Sequence, residues 1–268
     1  IGSLKDASAG RITVVAPYFS HARQDRKTAS RAPIMTKYIA KLFESVGTNR
    51  ILTVDVHNPT ALQNCFNINV DLLEAGELFA KYLAKELKEG KFGIKWIKNS
   101  LVIMSDIGGL NRVKKFRKTL TKYLGEEVDI ACVDKLHTND GEITAERIIG
   151  NVKDRYIIVL DDMISSGRTI YECAEVSKKA GSLGVLAVLC THSLFVGDAN
   201  KYLDHSFIQR YVITDTVDSF RLTNENVRNK LVVLSTTNLF AEAIMRIHRN
   251  ESISDLIENG FSSRFLEG

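Results

Sequence analysis

The chain has 268 residues, 44% of them hydrophobic, with 36 Lys and Arg against 32 Asp and Glu for a net charge of +4. That is enough apolar material for one large domain or two small ones. Charges of both signs are interspersed, so the small positive excess carries no signal for nucleic acid. The longest apolar run, GVLAVLCTHSLFV, is broken by Thr191, His192 and Ser193 and is too short to span a bilayer. Four widely spaced cysteines (Cys65, Cys132, Cys173, Cys190) form no CxxC pair, and three of them lie in apolar stretches. They read as small buried hydrophobes in a reducing compartment, with no zinc site.

In chain order, the first β-branched runs are ITVVAPY (12–18) and ILTVDVH (51–57). Between them PIMTKYIAKLFESVG has helical spacing, opening at Pro33 and closing at Gly47. LLEAGELFAKYLAKELKEG is a second helical segment, with apolar Leu72, Leu73, Leu78, Phe79, Leu83 and Leu87 and a stop at Gly90. Next come LVIMSD (101–106) and GLNRVKKFRKTLTKY, which carries six basic residues and reads as an amphipathic helix with Val113, Phe116 and Leu120 turned inward. The runs DIACVDK (129–135) and YIIVLDD (156–162) precede the helix TIYECAEVSKKAG, and VLAVLCTH (185–192), YVITDT (211–216) and LVVLST (231–236) complete the set. Near-continuous apolar character implies strands buried on both faces, as in parallel sheets. Strands alternating with helices predict a doubly wound α/β architecture. No linker is visible, so a domain boundary is a short crossing around 75 to 95.

Ligands of open α/β sheets bind beyond the carboxyl ends of the strands. Those ends carry Asp55, His57, Asp106, Asp134, Lys135, Asp161, Asp162, Thr191, His192, Thr214 and Asp215. Singly, most are ordinary turn or capping residues; together they predict a shared active-site rim. The stretch RYIIVLDDMISSGRTI (155–170) is the most informative. Its strand stops at two exposed acids, and Ser165-Ser166-Gly167-Arg168-Thr169 then turns into a helix. A small-residue turn at a helix N-terminus aims N–H groups at an anion. Carboxylates repel phosphate but accept from sugar hydroxyls, so the pattern predicts a sugar-phosphate site. An acidic turn before a capped helix explains the Ser and Thr but not the acid pair.

VLDDMISSGRT resembles the phosphoribosyl-pyrophosphate (PRPP) loop of type I phosphoribosyltransferase folds. ASAGRITVVAPYFSHARQDRK, SVGTNRILTVDVH, MSDIGGLNRVKKF and LFAEAIMRIHRNESIS narrow the resemblance to the ribose-phosphate pyrophosphokinase family, in register to about residue 258. The resemblance implies two phosphoribosyltransferase-like α/β domains with mostly parallel sheets flanked by helices. They are residues 1–75 with 237–268, and residues 76–236, with LFAEAIMRIHR packing back on the first. It implies transfer of pyrophosphate from ATP to the C1 hydroxyl of ribose 5-phosphate, in the cytoplasm, with Mg²⁺ as cofactor. No nucleic acid or membrane partner is implied, and the assembly is a homo-oligomer, a hexamer or its dimer building block.

By the same resemblance Arg23, Gln24 and Asp25 bind ATP, and Asp161 and Asp162 hold the ribose while Ser165, Ser166, Gly167, Arg168 and Thr169 cradle the 5-phosphate. His57 and Asp106 are the magnesium ligands, although a histidine such as His57, taken alone, is more often a hydrogen-bonded structural one and Asp106 is equally a turn acid. Lys135 is a catalytic cation, and His137 stands where the family usually has a second one, an arginine. LHTNDGEI is expected to close over ATP.

The chain departs from the family in four places. It opens at Ile1 and is expected to lack the family's first segment. His137 replaces an arginine, and Arg168 replaces a glycine. DVHNPTALQNCFNINVD is one residue longer than the family's usual DLH…QGFFDIPVD and lacks the proline near the end of that pattern. A non-catalytic regulatory subunit of the same fold and a PRPP-consuming phosphoribosyltransferase are the rival readings.

Overall fold

The structure, a computed structural model, describes residues 1–93, 101–137 and 143–259, with backbone alone at 106–107, 135–137, 143–146 and 258–259. The chain forms two compact units, Ile1–Ala75 with the segment from Thr236 onward, and Gly76–Ser235. The first unit runs α1 (Gly2–Asp6), β1 (Thr13–Val15), α2 (Met35–Ser45), β2 (Arg50–Val54), α3 (Pro59–Cys65) and β3 (Asn69–Leu73). Its strands form a parallel sheet ordered β1-β2-β3, with Ile51 beside Val14 on one side and Val70 on the other. Ile51, Leu52 and Val54 are fully buried, as expected of a central parallel strand. Phe19, Ala40, Val56, Leu62 and Phe66 pack with Ile51, and the Phe19 and Phe66 rings meet edge-on at 5.9 Å.

The second unit runs α4 (Gly76–Lys88), β4 (Leu101–Asp106), a 3₁₀ turn over Ile107–Gly109, α5 (Leu110–Leu124), β5 (Asp129–His137), β6 (Ile143–Ile149), β7 (Tyr156–Ile164) and α6 (Arg168–Lys179). It continues with β8 (Gly184–Ser193), α7 (Ala199–Tyr202), β9 (Tyr211–Thr214), α8 (Glu225–Arg228) and β10 (Leu231–Leu234). Seven strands are ordered β10-β9-β8-β7-β4-β5-β6, all parallel except β6, which turns back antiparallel on β5. From β4 the chain proceeds outward to β5, and from β7 it proceeds the opposite way to β8, β9 and β10. The strand order therefore reverses between β4 and β7, and a crevice at their carboxyl ends is the expected ligand site. Every residue of β8 is buried. α5 buries Val113, Phe116 and Leu120, the face expected from its apolar spacing. The chain then returns to the first unit as α9 (Thr237–Arg249) and α10 (Ile253–Asn259). Arg246 fixes the corner between them, bonding Glu242, the Ser252 carbonyl and Asp255.

Two strands depart from the sequence expectations. Leu72 and Leu73 do not open a helix; they close β3, opposite Thr53 and Val54, and the helix starts at Gly76. Pairing to the buried strand β2 outweighs the local helical spacing. β6 was not expected from ITAERII, whose charged Glu146 and Arg147 suit the edge strand that it is. Cys132, Cys173 and Cys190 are buried and all four cysteines are free. Among the described residues no helix is long and apolar enough to cross a membrane.

The hairpin that carries the end of β5 depends on Gly150. Its φ is +113°, and a Cβ there would stand 2.8 Å from the Ile130 carbonyl oxygen and 3.0 Å from Ala131. Gly150→Ala is expected to cost about 2 kcal/mol through strain and backbone overlap. In thermal melts the midpoint should fall by about 4–8 °C, whereas Gly10→Ala, with open space around it, should leave it unchanged.

Candidate active site

In the second unit the acid pair lies within β7, not beyond its end. Asp161 is half-buried and Asp162 is buried, and both precede the last two strand residues, Met163 and Ile164. This corrects the expectation of two exposed acids after a strand stop. Asp162 tolerates burial because it is paired: Arg112 Nη2 lies 3.1 Å from Asp162 Oδ1, and Nη1 lies 3.6 Å from Asp161 Oδ1. The Asp162 amide also donates to Asp161 Oδ1 at 2.8 Å. The Asp162 side chain is 3% exposed and that of Asp161 25% exposed, so Asp161 is the member open to a ligand. Beside them, burial pushes the Cys190 thiol well up, and the two carboxylates push it further. It stays protonated and is no nucleophile.

After β7 the chain turns through Ser165, Ser166 and Gly167 into α6. Gly167 is the N-cap of this twelve-residue helix, with φ at +76°. A Cβ there would come within 2.9 Å of Leu203, which is fully buried. The loop is also sewn to the strand next door. The amides of Leu194 and Val196 donate to the carbonyls of Ile164 and Ser165 at 2.9 and 3.0 Å. Arg168 is the first residue of α6, and its Nε donates to Glu172 Oε1 at 2.7 Å. The guanidinium therefore leans along the helix.

Several other rim residues serve the scaffold. Thr214 and Thr216 hydroxyls both donate to the Thr191 carbonyl, at 2.7 and 2.9 Å, and Thr216 Oγ1 lies 2.9 Å from His192 Nδ1. This network ties the carboxyl ends of β8 and β9. Asp215 accepts from Ser235 Oγ at 2.9 Å, which ties β9 to the end of β10. Asp134 pairs with Arg147 across the β5–β6 hairpin at 3.1 Å. Asp106 ends β4, and Lys135 and His137 are on β5 opposite Glu146 and Ile143, but these side chains lie outside the described ones. Residues 138–142 of the expected closing loop lie outside the described residues as well.

In the first unit a compact loop follows β1. The Gln24 amide donates to the His21 carbonyl at 2.9 Å, and His21 Nδ1 lies 3.0 Å from Gln24 Oε1. Buried Thr36, in the first turn of α2, clamps this loop: its hydroxyl donates to the His21 carbonyl at 2.8 Å and its amide to the Gln24 carbonyl at 3.3 Å. Arg23 and Gln24 are exposed, and burial raises the pKa of the neighbouring Tyr18 hydroxyl, against the opposing pull of Arg23. Asn58 Nδ2 donates to Asp25 Oδ2 at 2.7 Å while Asn58 Oδ1 caps α3 through the Ala61 amide. That one side chain brings the loop to the end of β2, next to exposed His57. Asp55 adopts a left-handed backbone, φ +43°, and accepts from the Ala75 amide at 3.0 Å, which fixes the turn leading to His57.

Thr36, Asn58 and Arg112 were not singled out from the sequence. For Arg112 a signal existed: a cation in the first turn of a helix opposes the macrodipole and calls for a partner. Among the described residues no three His, Cys, Asp or Glu side chains gather as a metal cage.

Two families match the chain: "N-terminal domain of ribose phosphate pyrophosphokinase" over residues 1–47, and "Phosphoribosyl synthetase-associated domain" over residues 135–258. A ribose-phosphate pyrophosphokinase of Campylobacter jejuni is 36% identical over 254 residues, covering 95% of this chain and 75% of the relative. Ribose-phosphate pyrophosphokinase 1 of Streptococcus pyogenes is 37% identical over 262 residues, covering 97% of this chain and 76% of the relative. The crystal structure of phosphoribosylpyrophosphate synthetase from Mycobacterium smegmatis superposes with a TM-score of 0.77 at 28% identity, over 93% of this chain and 75% of that one. With the acid pair at the strand-order reversal and the small-residue turn leading into α6, these likenesses over almost the whole chain mean that the chain belongs to the ribose-phosphate pyrophosphokinase family.

Proposed function

We propose that the protein transfers the β,γ-pyrophosphoryl group of ATP to the C1 hydroxyl of ribose 5-phosphate, giving PRPP and AMP. The observation that carries this is the β7–turn–α6 unit at the strand-order reversal, in a chain of this family. N–H groups of the turn from Ser165 to Thr169 and the start of α6 receive the 5-phosphate, helped by the Ser and Thr hydroxyls. Asp161 accepts from a ribose hydroxyl, and Asp162 supports it from the strand. In the first unit the clamped loop presents Arg23 and Gln24 to ATP, with Asp25 held by Asn58. A planar guanidinium suits both an adenine face and phosphate oxygens.

Mg²⁺ is the metal we propose, with exposed His57 and the strand-end Asp106 as its protein ligands. So sparse a set fits a hard ion that takes most of its shell from phosphate oxygens and water. When bound it neutralises phosphate charge. The step itself is attack of the C1 oxygen on the β-phosphorus as the bond from that phosphorus to the α,β-bridging oxygen breaks, leaving AMP. Lys135 stabilises the charge that develops on that oxygen, and His137 adds a second cation when protonated. We further propose a cytoplasmic homo-oligomer, a hexamer or its dimer building block, with the loop holding Arg23 near a subunit interface.

The decisive experiment incubates the protein with Mg·ATP and ribose 5-phosphate and follows AMP and PRPP. Both products in equal amounts are expected. ATP left intact would favour the regulatory-subunit reading, and PRPP consumed with a free base would favour a phosphoribosyltransferase.

Two variants probe the roles. Lys135→Ala should lower kcat by about two orders of magnitude, the effect of losing one transition-state donor, with KM nearly unchanged. A raised KM with intact turnover would make Lys135 a binding residue instead. Gly167→Ala places a side chain at positive φ and against Leu203. It should weaken ribose 5-phosphate binding in titration calorimetry by about tenfold, for a strain of about 1–3 kcal/mol. Wild-type affinity would dissociate the phosphate from this turn.

A further inference from the structure

Arg112 is the only one of the six basic residues of α5 in that helix's first turn, third after the N-cap Gly109. The helix dipole concentrates positive potential there, so the helix itself disfavours a cation at this position. Its compensation comes from the neighbouring strand. α5 follows β4, β4 pairs with β7, and the Arg112 guanidinium reaches across to both carboxylates of β7, at 3.1 Å from Asp162 and 3.6 Å from Asp161. The contact stands at the reversal of strand order, where a ligand is expected.

We propose that Arg112 is a positioning residue for the ribose site. It anchors Asp162 inside β7 and sets the carboxylate plane of Asp161, which is the member of the pair that faces the sugar. Asp161 Oδ1 is held from two sides, by the Asp162 amide at 2.8 Å and by Arg112 Nη1 at 3.6 Å. A planar guanidinium serves two carboxylates in one fixed geometry, which the single ammonium of lysine does not. There is also a charge consequence. The guanidinium offsets one of the two carboxylate charges, so an anionic sugar phosphate meets less repulsion than the acids alone would give. Arg112 thus lets a diol-binding acid pair stand beside a phosphate-binding turn. The proposal rests on the ribose 5-phosphate reading of this site.

The test compares KM for ribose 5-phosphate and for Mg·ATP in wild type, R112K and R112M/D162N, with thermal melts of each. R112K keeps the charge. R112M/D162N removes both members of the buried pair, so no unpaired charge is left inside the sheet. Both variants should raise KM for ribose 5-phosphate, R112M/D162N by about tenfold and R112K by severalfold, with KM for Mg·ATP within about twofold of wild type. A merely structural role would lower the melting midpoint without this split. Wild-type KM for ribose 5-phosphate in R112K or in R112M/D162N overturns the proposal, and so does an equal rise for both substrates. A wild-type protein that makes no PRPP overturns the reading of the site itself, a different result from active wild type with indifferent Arg112 variants.

Discussion

A carboxylate inside a parallel strand has to be neutralised where it stands. Asp162 sits in β7 of a seven-stranded sheet with 3% of its side chain exposed. Leaving such a charge unpaired would cost several kcal/mol. One partner is Arg112 from the start of α5, which β4, lying beside β7, delivers to the same edge. The placement of the acids, the strand order and the position of the helix are thus one constraint. Asp161 then faces solvent one residue upstream, and the turn into α6 follows two residues after the strand-buried acid.

The first unit solves a different problem, that of holding an exposed polar loop still without burying it. Thr36 contributes a buried hydroxyl and amide to the loop carbonyls, and Asn58 contributes an amide donor to Asp25 while capping its own helix. Neither side chain needs to touch a ligand to matter. Each removes conformational freedom from the loop that carries Arg23 and Gln24, an ordering cost that the proposed ATP site would otherwise meet on binding. Arg23 and Gln24 stay exposed because Thr36 holds loop carbonyls and Asn58 holds only the neighbouring Asp25 carboxylate.

Much of this was legible in the sequence. The eight apolar runs all became strands because burial on both faces leaves an unmistakable pattern, and α5 turned Val113, Phe116 and Leu120 inward as its spacing dictated. What was hidden depended on partners far away in the chain. Leu72 and Leu73 carry helical spacing, and only the neighbouring strand β2 makes them β. Asn58 and Asp25 are 33 residues apart, and no local period links them. The acid pair looked like a strand stop because two adjacent Asp residues are poor strand formers; a guanidinium on another element overrides that preference. Thr191, Thr214 and Asp215, conspicuous at strand ends, proved to tie the strands to one another. Strand-end polarity by itself does not separate scaffold residues from candidate site residues; three-dimensional pairing does.

The way the chain threads the two units bears on its biogenesis. The second unit is one uninterrupted segment, Gly76–Ser235, while the first is split, its final part arriving only from Thr236 onward. During synthesis the ribosome therefore releases all of the second unit before α9, with buried Leu239, Phe240, Ala243 and Ile247, exists to join the first. Until then the surface that α9 covers in the first unit lacks that helix. The entropic cost of closing so long an insertion grows only with the logarithm of its length, so an already folded second unit, which brings its two ends to fixed positions, governs how readily the first is completed.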